Sequence, residues 1–168
     1  THARSLFALQ RELGTLGVAP ADTPITPGGL ERAVRRRAAE LMAILSRWCA
    51  DERQPILSVI FDDEDRRSIQ TILRGAEQGA ASEIRLGGLV PTMHLSERAL
   101  RLLASQPTMT DVVRMLVLWS HPFGTSLVDA VSGSRPSLFE VEVALQRAFA
   151  RRALGSARKA GRHLVEYA

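Results

Sequence analysis

The sequence predicts an all-α protein, and three observations carry this prediction. Apolar residues recur at spacings of three and four along several segments, the period of a helix with one buried face. No stretch alternates between apolar and polar residues for long enough to predict a strand. Hydrophobic residues make up 45% of the chain but aromatic residues only 5%, and a core of Leu, Ile, Val and Ala suits packed helices better than sheets.

Two helices and a connector are predicted in the first part of the chain. The first helix covers residues 3–17, with leucines on one face, and Gly17 ends it. A Pro- and Gly-rich connector over residues 18–29 is predicted to be a loop. A long amphipathic helix follows over residues 30–50. Its apolar residues, all expected to face the core, are Leu30, Val34, Leu41, Leu45 and Trp48.

Helical patterns continue to the end of the sequence. Pro55 opens a helical turn, and the 3–4 apolar spacing resumes after four consecutive acids at residues 62–65. These acids are therefore interpreted as the start of a helix that weakens toward Gly75 and Gly79. Further helices are predicted over residues 82–86, 96–106, 110–121, 137–153 and 156–168, with a loop at 132–136.

The acidic cluster at residues 62–65 is the segment that most invites a chemical interpretation. Helical isoprenoid enzymes bind Mg²⁺ through an Asp-Asp-x-x-Asp pattern, because carboxylates at i and i+4 share a helix face. Here the fifth position is Arg66. Acids in a first turn also interact favourably with the helix dipole, and Arg66 and Arg67 lie within pairing distance of Asp62 and Asp63. We expect these acids to start and charge-pair a helix, with no metal, cofactor or catalytic role.

Other reactive residue types are scattered along the chain. His94, His121 and His163 show no metal-binding spacing, and each is expected to be a surface or interhelical histidine. Cys49 is the single cysteine, which excludes an internal disulfide and fits a reducing, intracellular setting. The longest apolar runs, such as residues 115–119, fall far short of the ~20 residues that span a bilayer. A soluble protein is predicted, with any membrane link made through a partner.

The charge balance is mildly basic, with 22 Lys and Arg against 18 Asp and Glu, a net charge of +4. Lys159 is the only lysine, and this arginine-rich composition is interpreted as a sign of a GC-rich genome. The basic face at residues 32–37 could contact phosphates, although it lacks interleaved aromatic residues. One alternative function is therefore an unrelated helical scaffold for protein or RNA. Another is the Mg²⁺-dependent isoprenoid enzyme considered above.

Several motifs, taken in order, resemble the C-type stalk component of the A/V-type rotary ATPases and ATP synthases, the counterpart of the d component of the vacuolar pump. The first motif, an acid and two arginines followed by an aliphatic residue, is similar to part of a recurring helix of that family. The order and spacing of the motifs over residues 40–155 carry the resemblance. The motifs are DRRSI at 65–69, ILRG at 72–75, SEI at 82–84, LVP at 89–91, LS at 95–96, and FEVE at 139–142 with Phe149 after it.

The resemblance implies a multi-helix bundle built from helical repeat units and a function without catalysis. Such proteins form a socket between the central shaft and the membrane rotor ring, and torque passes through them during proton or sodium transport. The partners would be shaft subunits and the ring, with no nucleic acid, and the location cytoplasmic and peripheral to the membrane. Family members are longer, so residues 1–168 would be a single helical domain that is a fragment or a shortened form. Candidates for a polar lining are Arg66, Arg67, Arg74, Glu77 and Arg85.

Overall fold

The computed structural model describes residues 2–19, 24–48 and 54–166. None of these residues lies in a strand, so the all-α prediction is confirmed. The described helices are α1 (His2–Thr15), α2 (Pro27–Trp48), α3 (Gln54–Glu77), α4 (Ser82–Arg85), α5 (Glu97–Ala104), α6 (Met109–Leu118), α7 (Gly124–Val131) and α8 (Leu138–Glu166).

The hydrophobic core lies between α3 and α8, and α5, α6 and α7 complete it on the remaining sides. In α3 and α8 the buried residues follow the 3–4 spacing read in the sequence, because that spacing keeps one helical face turned inward. The largest fully buried side chains are Phe123, Ile69, Ile72, Leu73, Leu95, Leu103, Leu116, Leu127 and Leu145. The core is almost entirely aliphatic, as the composition predicted.

Helix α3 runs without interruption from Gln54 to Glu77, so the prediction that the acids start a helix is wrong. Pro55 stands in the first turn, where its missing N–H group is not needed, and neither Gly nor Pro follows it before Gly75. The four acids therefore lie in the middle of the helix, away from the positive end of its dipole. Their charges must be balanced by side chains rather than by the helix end.

Two glycines shape the end of α3. At Gly79 the backbone takes a φ of +65°, which a glycine adopts at low cost, and the Ala80 N–H donates to the Gly75 carbonyl at 2.8 Å. Gly75 itself is buried against Arg85, and a Cβ on Gly75 would lie 2.5 Å from the Arg85 Cγ. The absence of a side chain at Gly75 therefore makes room for the arginine of α4.

Helices in the second half of the chain agree with the prediction in part. The short α4 and the Ser96 cap of α5 are confirmed, and the Ser96 hydroxyl accepts from the Ala99 N–H at 3.3 Å. Helix α6 begins at Met109, one residue before the predicted start at residue 110, and the Thr108 hydroxyl caps it by accepting from the Asp111 N–H. The prediction missed α7, and the two C-terminal helices are one continuous α8 through Gly155.

Helix α2 differs most from its prediction. It begins at Pro27, three residues earlier than predicted, while residues 20–23 of the connector lie outside the described residues. Leu30 is buried as expected, and the Arg35 Nη1 donates to the Leu86 carbonyl at 2.7 Å. The prediction that the rest of the apolar stripe faces the core is wrong, because those side chains are exposed. They are Val34, Leu41, Leu45 and Trp48.

None of the helices in the described part of the chain combines the length and the apolar character needed to cross a membrane.

The contact between α6 and α7 yields a test of the packing. Gly124 opens α7 directly against α6, and a Cβ at this position would lie 2.8 Å from the carbonyl carbon of Leu116. We expect Gly124→Ala to lower the free energy of unfolding by about 1–3 kcal/mol, since backbone atoms must move to admit the methyl group. Gly133→Ala is the control, because a Cβ on Gly133 meets no described atom within 4 Å. Equal urea-unfolding curves for the two variants would contradict this packing.

Candidate functional site

The most distinctive polar group of the structure is Asp65, a fully buried carboxylate in the middle of α3. Its Oδ1 accepts from the Thr92 hydroxyl, and its Oδ2 lies 3.2 Å from the Nδ1 of His94. The Nε2 of His121 lies 3.4 Å from the same Oδ2. Three groups from two different loops thus converge on one carboxylate.

The loop between α4 and α5 positions the first two of these groups. The Thr92 hydroxyl accepts from the Leu95 N–H at 3.0 Å, and the Thr92 N–H donates to the Leu95 carbonyl at 3.0 Å. This tight turn leaves the Thr92 hydroxyl hydrogen free to point at Asp65. It also holds His94, whose side chain is 34% exposed, at the edge of the buried carboxylate.

His121 reaches Asp65 from the turn between α6 and α7. Ser120 has a φ of +54°, an uncommon conformation for a residue with a side chain, and the His121 N–H donates to the Leu116 carbonyl at 2.9 Å. The Nδ1 of His121 accepts from the Phe123 N–H at 3.2 Å, so the ring proton must be on Nε2, which faces Asp65. His121 therefore points its Nε2–H toward the Asp65 Oδ2, 3.4 Å away.

The surroundings of Asp65 determine its charge. Burial alone would raise the pKa of the Asp65 carboxyl group. The hydrogen bonds from His121, His94 and Thr92 more than offset burial, so the pKa of Asp65 lies below its ordinary value. The hydrogen bond to Asp65 in turn raises the pKa of His94 above its ordinary value, despite the partial burial of the ring. At neutral pH the carboxylate is ionised.

Asp62, one turn before Asp65 on α3, is buried as well and pairs with α8. The Arg152 Nε donates to one carboxylate oxygen at 2.8 Å, and its Nη2 donates to the other at 3.1 Å. This two-point geometry is the strongest form of an arginine–carboxylate pair. The guanidinium also lies over the Phe123 ring, with its Cζ 5.9 Å from the ring centroid. Arg152 thus ties α8 to α3 at this level.

Asp62, Asp65 and His94 are also the set of groups closest to a metal-binding arrangement in the described part of the chain. One potential ligand atom of each lies within 4.8 Å of the other two. However, both Asp62 oxygens accept from a cationic guanidinium, and the two Asp65 oxygens are engaged by Thr92 and His94. A second cation would have to displace Arg152. The donor pattern is that of a hydrogen-bonded network rather than a set of metal ligands.

The local charge pairing expected of the acids holds for Asp63. The Arg66 Nη2 lies 2.7 Å from the Asp63 Oδ1, and the Arg67 Nη2 lies 2.8 Å from the Oδ2. The corresponding expectation for Asp62 is wrong, since Asp62 pairs with Arg152, 90 residues away. Asp62 lies on the buried face of α3, and Arg152 donates to both of its oxygens.

Four of the five predicted lining residues lie on α3. Arg66 is half-buried, with its Cζ 5.4 Å from the Phe149 ring centroid, while Arg67 and Glu77 are exposed. Arg74 pairs across the helices with Glu142 of α8, with 2.5 Å between the Arg74 Nε and the carboxylate. This pairing raises the pKa of Arg74 and lowers that of Glu142.

Arg85, the fifth predicted lining residue, is buried. Its Nε donates to the Ala80 carbonyl at 2.7 Å, and its Nη1 donates to the carbonyls of Ala104 and Gln106 at 3.2 and 2.6 Å. The structure therefore uses Arg85 to join the end of α3 to the end of α5, with its guanidinium bound to backbone carbonyls.

Sequence reasoning missed the network around Asp65. His94 and His121 were expected to be separate surface or interhelical histidines, but both face the same carboxylate, and their rings meet edge to face at 5.9 Å. The side chain of His163, like the structure of Cys49, lies outside what is described. The one available signal was the position of Asp65, four residues before Ile69 on the buried face of α3.

Fold and site together define a helix-built protein whose buried charges tie its helices to one another. The family model described as ATP synthase (C/AC39) subunit matches residues 9–167. The chain therefore belongs to this family of non-catalytic subunits of V/A-type rotary ATPases, and the resemblance noted in the sequence is confirmed. Searches among curated proteins and among solved structures found no match.

The buried position of Asp65 gives a prediction for stability. We expect Asp65→Asn to lower the free energy of unfolding by about 3 kcal/mol, because the change removes the charge to which three buried or half-buried donors point. Asp63→Asn is the matched control, since Asp63 pairs with arginines of its own helix at a partly exposed site, and should cost less than about 1 kcal/mol. Urea unfolding at neutral pH measures both values. Equal losses would contradict a special role for the buried network.

The raised pKa of His94 predicts how stability depends on pH. The stabilisation from the His94–Asp65 pair is complete below pH 6.5, the ordinary pKa of histidine, and is lost as the pH rises through the folded-state value. At the acid end, the stabilisation due to the lowered pKa of Asp65 is present above pH 3.8 and is lost as the pH falls through the folded-state value. The urea midpoint should therefore decrease as the pH rises from 6.5 through the folded-state pKa of His94, and His94→Gln should flatten this decrease. An unchanged slope in the variant would contradict the pairing.

Proposed function

We propose that this chain is a central-stalk component of a rotary V/A-type ATPase, acting as a socket that couples the shaft to the membrane rotor ring during proton or sodium transport. The observation that carries the proposal is the family match over residues 9–167. In this role the chain carries out no chemistry itself. It would lie on the cytoplasmic side and reach the membrane through the ring. That residues 1–168 form one helical domain of a longer repeat-built protein remains a prediction.

A socket must resist deformation, and the contacts between α3 and α8 support that requirement. Arg152 pairs with Asp62 at one level of α3, and Glu142 pairs with Arg74 at another. Asp62 and Arg74 are twelve positions apart, which is about 18 Å along the helix. Two cross-links this far apart, with a close-packed aliphatic core between them, oppose sliding and rotation of one helix against the other.

We propose that the polar contact surface of the socket lies along the outer face of α3 and comprises Arg66, Arg67, Arg74 and Glu77. At 100° per residue these positions fall within an arc of about 100° around the helix axis. Asp63 and Glu142 pair with these arginines, so the surface holds three cations and three anions. It suits a partner segment with a matching pattern of mixed charge, since charge complementarity sets specificity and the rate of association. Arg85 is left out of this surface because it is buried.

Charge reversal tests this surface. We expect Arg67→Glu to weaken capture by purified shaft or ring proteins by about threefold to tenfold, because it reverses one charge of a pattern that the partner must match. Arg114→Glu on α6 is the matched control: its side chain is 66% exposed against 64% for Arg67, and each arginine pairs with an aspartate of its own helix. Binding is measured by titration with each partner at fixed salt.

Two outcomes separate the parts of this proposal. If the wild-type chain binds neither the shaft nor the ring, the socket function is wrong. If the wild type binds and the two variants weaken capture equally, the function stands and the contact surface is wrongly assigned.

A further inference from the structure

A cavity of about 450 Å³ opens beside the polar network, between α2, α3, α8 and the loop that carries His94. This volume falls within the range of about 300–1,000 Å³ typical of small-molecule sites. One wall is apolar and includes Leu57, Phe61 and Met93. The wall formed by α8 and His94 is polar.

The polar wall carries three basic side chains: His94, Arg152 and Lys159. The carboxylates that pair with the first two, Asp65 and Asp62, are almost completely buried behind them. No carboxylate is among the described residues that line the cavity. The cavity therefore meets the positive ends of two charge pairs, together with an ammonium group that none of the described carboxylates pairs with.

Hydrogen-bonding capacity remains on this wall. Arg152 uses its Nε and Nη2 for Asp62, so its Nη1 hydrogens are available. The hydroxyls of Ser58 and Ser156 lie 3.0 Å apart at the wall, and Ser58 donates to the Pro55 carbonyl. Ser156 is therefore the donor between them, and its hydroxyl can rotate toward a ligand instead. An arginine, an ammonium group and a hydroxyl are the groups that bind phosphate and carboxylate oxygens.

We propose that this cavity binds a small organic oxyanion, with its phosphate or carboxylate on the wall formed by His94, Arg152 and Lys159 and its apolar body against Leu57, Phe61 and Met93. The site goes beyond the socket function and does not depend on it, because coupling between shaft and ring requires no ligand.

The pH dependence of binding follows from the groups around His94. Asp65 and Asp62 face it from α3, Arg152 from α8 and His121 from the turn between α6 and α7. The hydrogen bond to Asp65 raises the pKa of His94, so the ring stays charged at a higher pH than a free histidine. Affinity for an oxyanion should therefore decrease as the pH rises through that value, and His94→Gln should remove most of this decrease.

The chain offers a direct probe, because Lys159 is its only lysine. Acylation of this single ε-amine is followed by mass spectrometry with phenyl phosphate, benzoate, inorganic phosphate or the neutral benzyl alcohol present. Phenyl phosphate and benzoate should protect Lys159 more than inorganic phosphate does, since only they also fill the apolar wall. Benzyl alcohol should not protect it. Whichever of phenyl phosphate and benzoate protects Lys159 more strongly shows whether the site prefers a phosphate or a carboxylate.

Calorimetric titration of two neighbouring variants provides the matched comparison. We expect Lys159→Gln to weaken phenyl phosphate binding by about tenfold, the usual effect of losing one hydrogen bond to a charged group. Arg158→Gln removes one charge from an exposed residue outside the cavity lining and should leave affinity unchanged. Equal weakening in the two variants would show general attraction to a basic surface and overturn the proposal. The proposal would also be overturned if no anion gave either a heat of binding or protection of Lys159 from acylation.

Discussion

Two carboxylates that the chain buries in the middle of α3 control the arrangement of everything around them. An ionised carboxylate removed from water is costly unless it is paired and hydrogen-bonded, and removing a partner from such a group leaves that cost uncompensated. Asp62 and Asp65 obtain their partners from α8, from the loop after α4 and from the turn after α6. Each of these segments must therefore take one position relative to α3, which an aliphatic core alone would not specify.

The value of such a network lies more in specifying an arrangement than in adding stability. A well-packed hydrophobic replacement of a buried ion pair is often as stable, but an aliphatic interface tolerates sliding in a way that a two-point arginine–carboxylate pair does not. The Arg74–Glu142 pair is exposed, so water and salt weaken it, yet it sets the same register between α3 and α8 further along. A component of a rotating complex has reason to fix the register between its two longest core helices.

Sequence patterns predicted the helices well wherever local chemistry decides them. The spacing of Ile69, Ile72 and Leu73 marks the buried face of α3, and Ser96 marks the start of α5. The partners of Asp62 and Asp65 were missed because they are distant in the sequence: Arg152 is 90 residues from Asp62, and Thr92 is 27 residues from Asp65. A pattern that reports neighbours three or four residues apart contains no information about such pairs.

The apolar stripe of α2 also shows that a local pattern does not reveal which distant residues a helix contacts. Its period correctly predicted a helix, but a period cannot say whether its apolar face meets the core of its own chain. Leu30 is buried, whereas Trp48 is 80% exposed.

The family, by contrast, could be predicted from the sequence, because the resemblance rests on the order of several short motifs over residues 40–155. The family match over residues 9–167 confirms it.

The cavity and the buried network share two residues, and this links the proposed ligand site to the rigidity of the fold. Arg152 donates to both oxygens of Asp62 and also lines the cavity, and His94 lies beside Asp65 and lines the cavity as well. An oxyanion bound there competes with each buried carboxylate for the charge of its partner, while Lys159 adds a charge that no described buried carboxylate shares. Because α3 and α8 are registered through Arg152, a ligand at this position contacts the group that aligns the two helices.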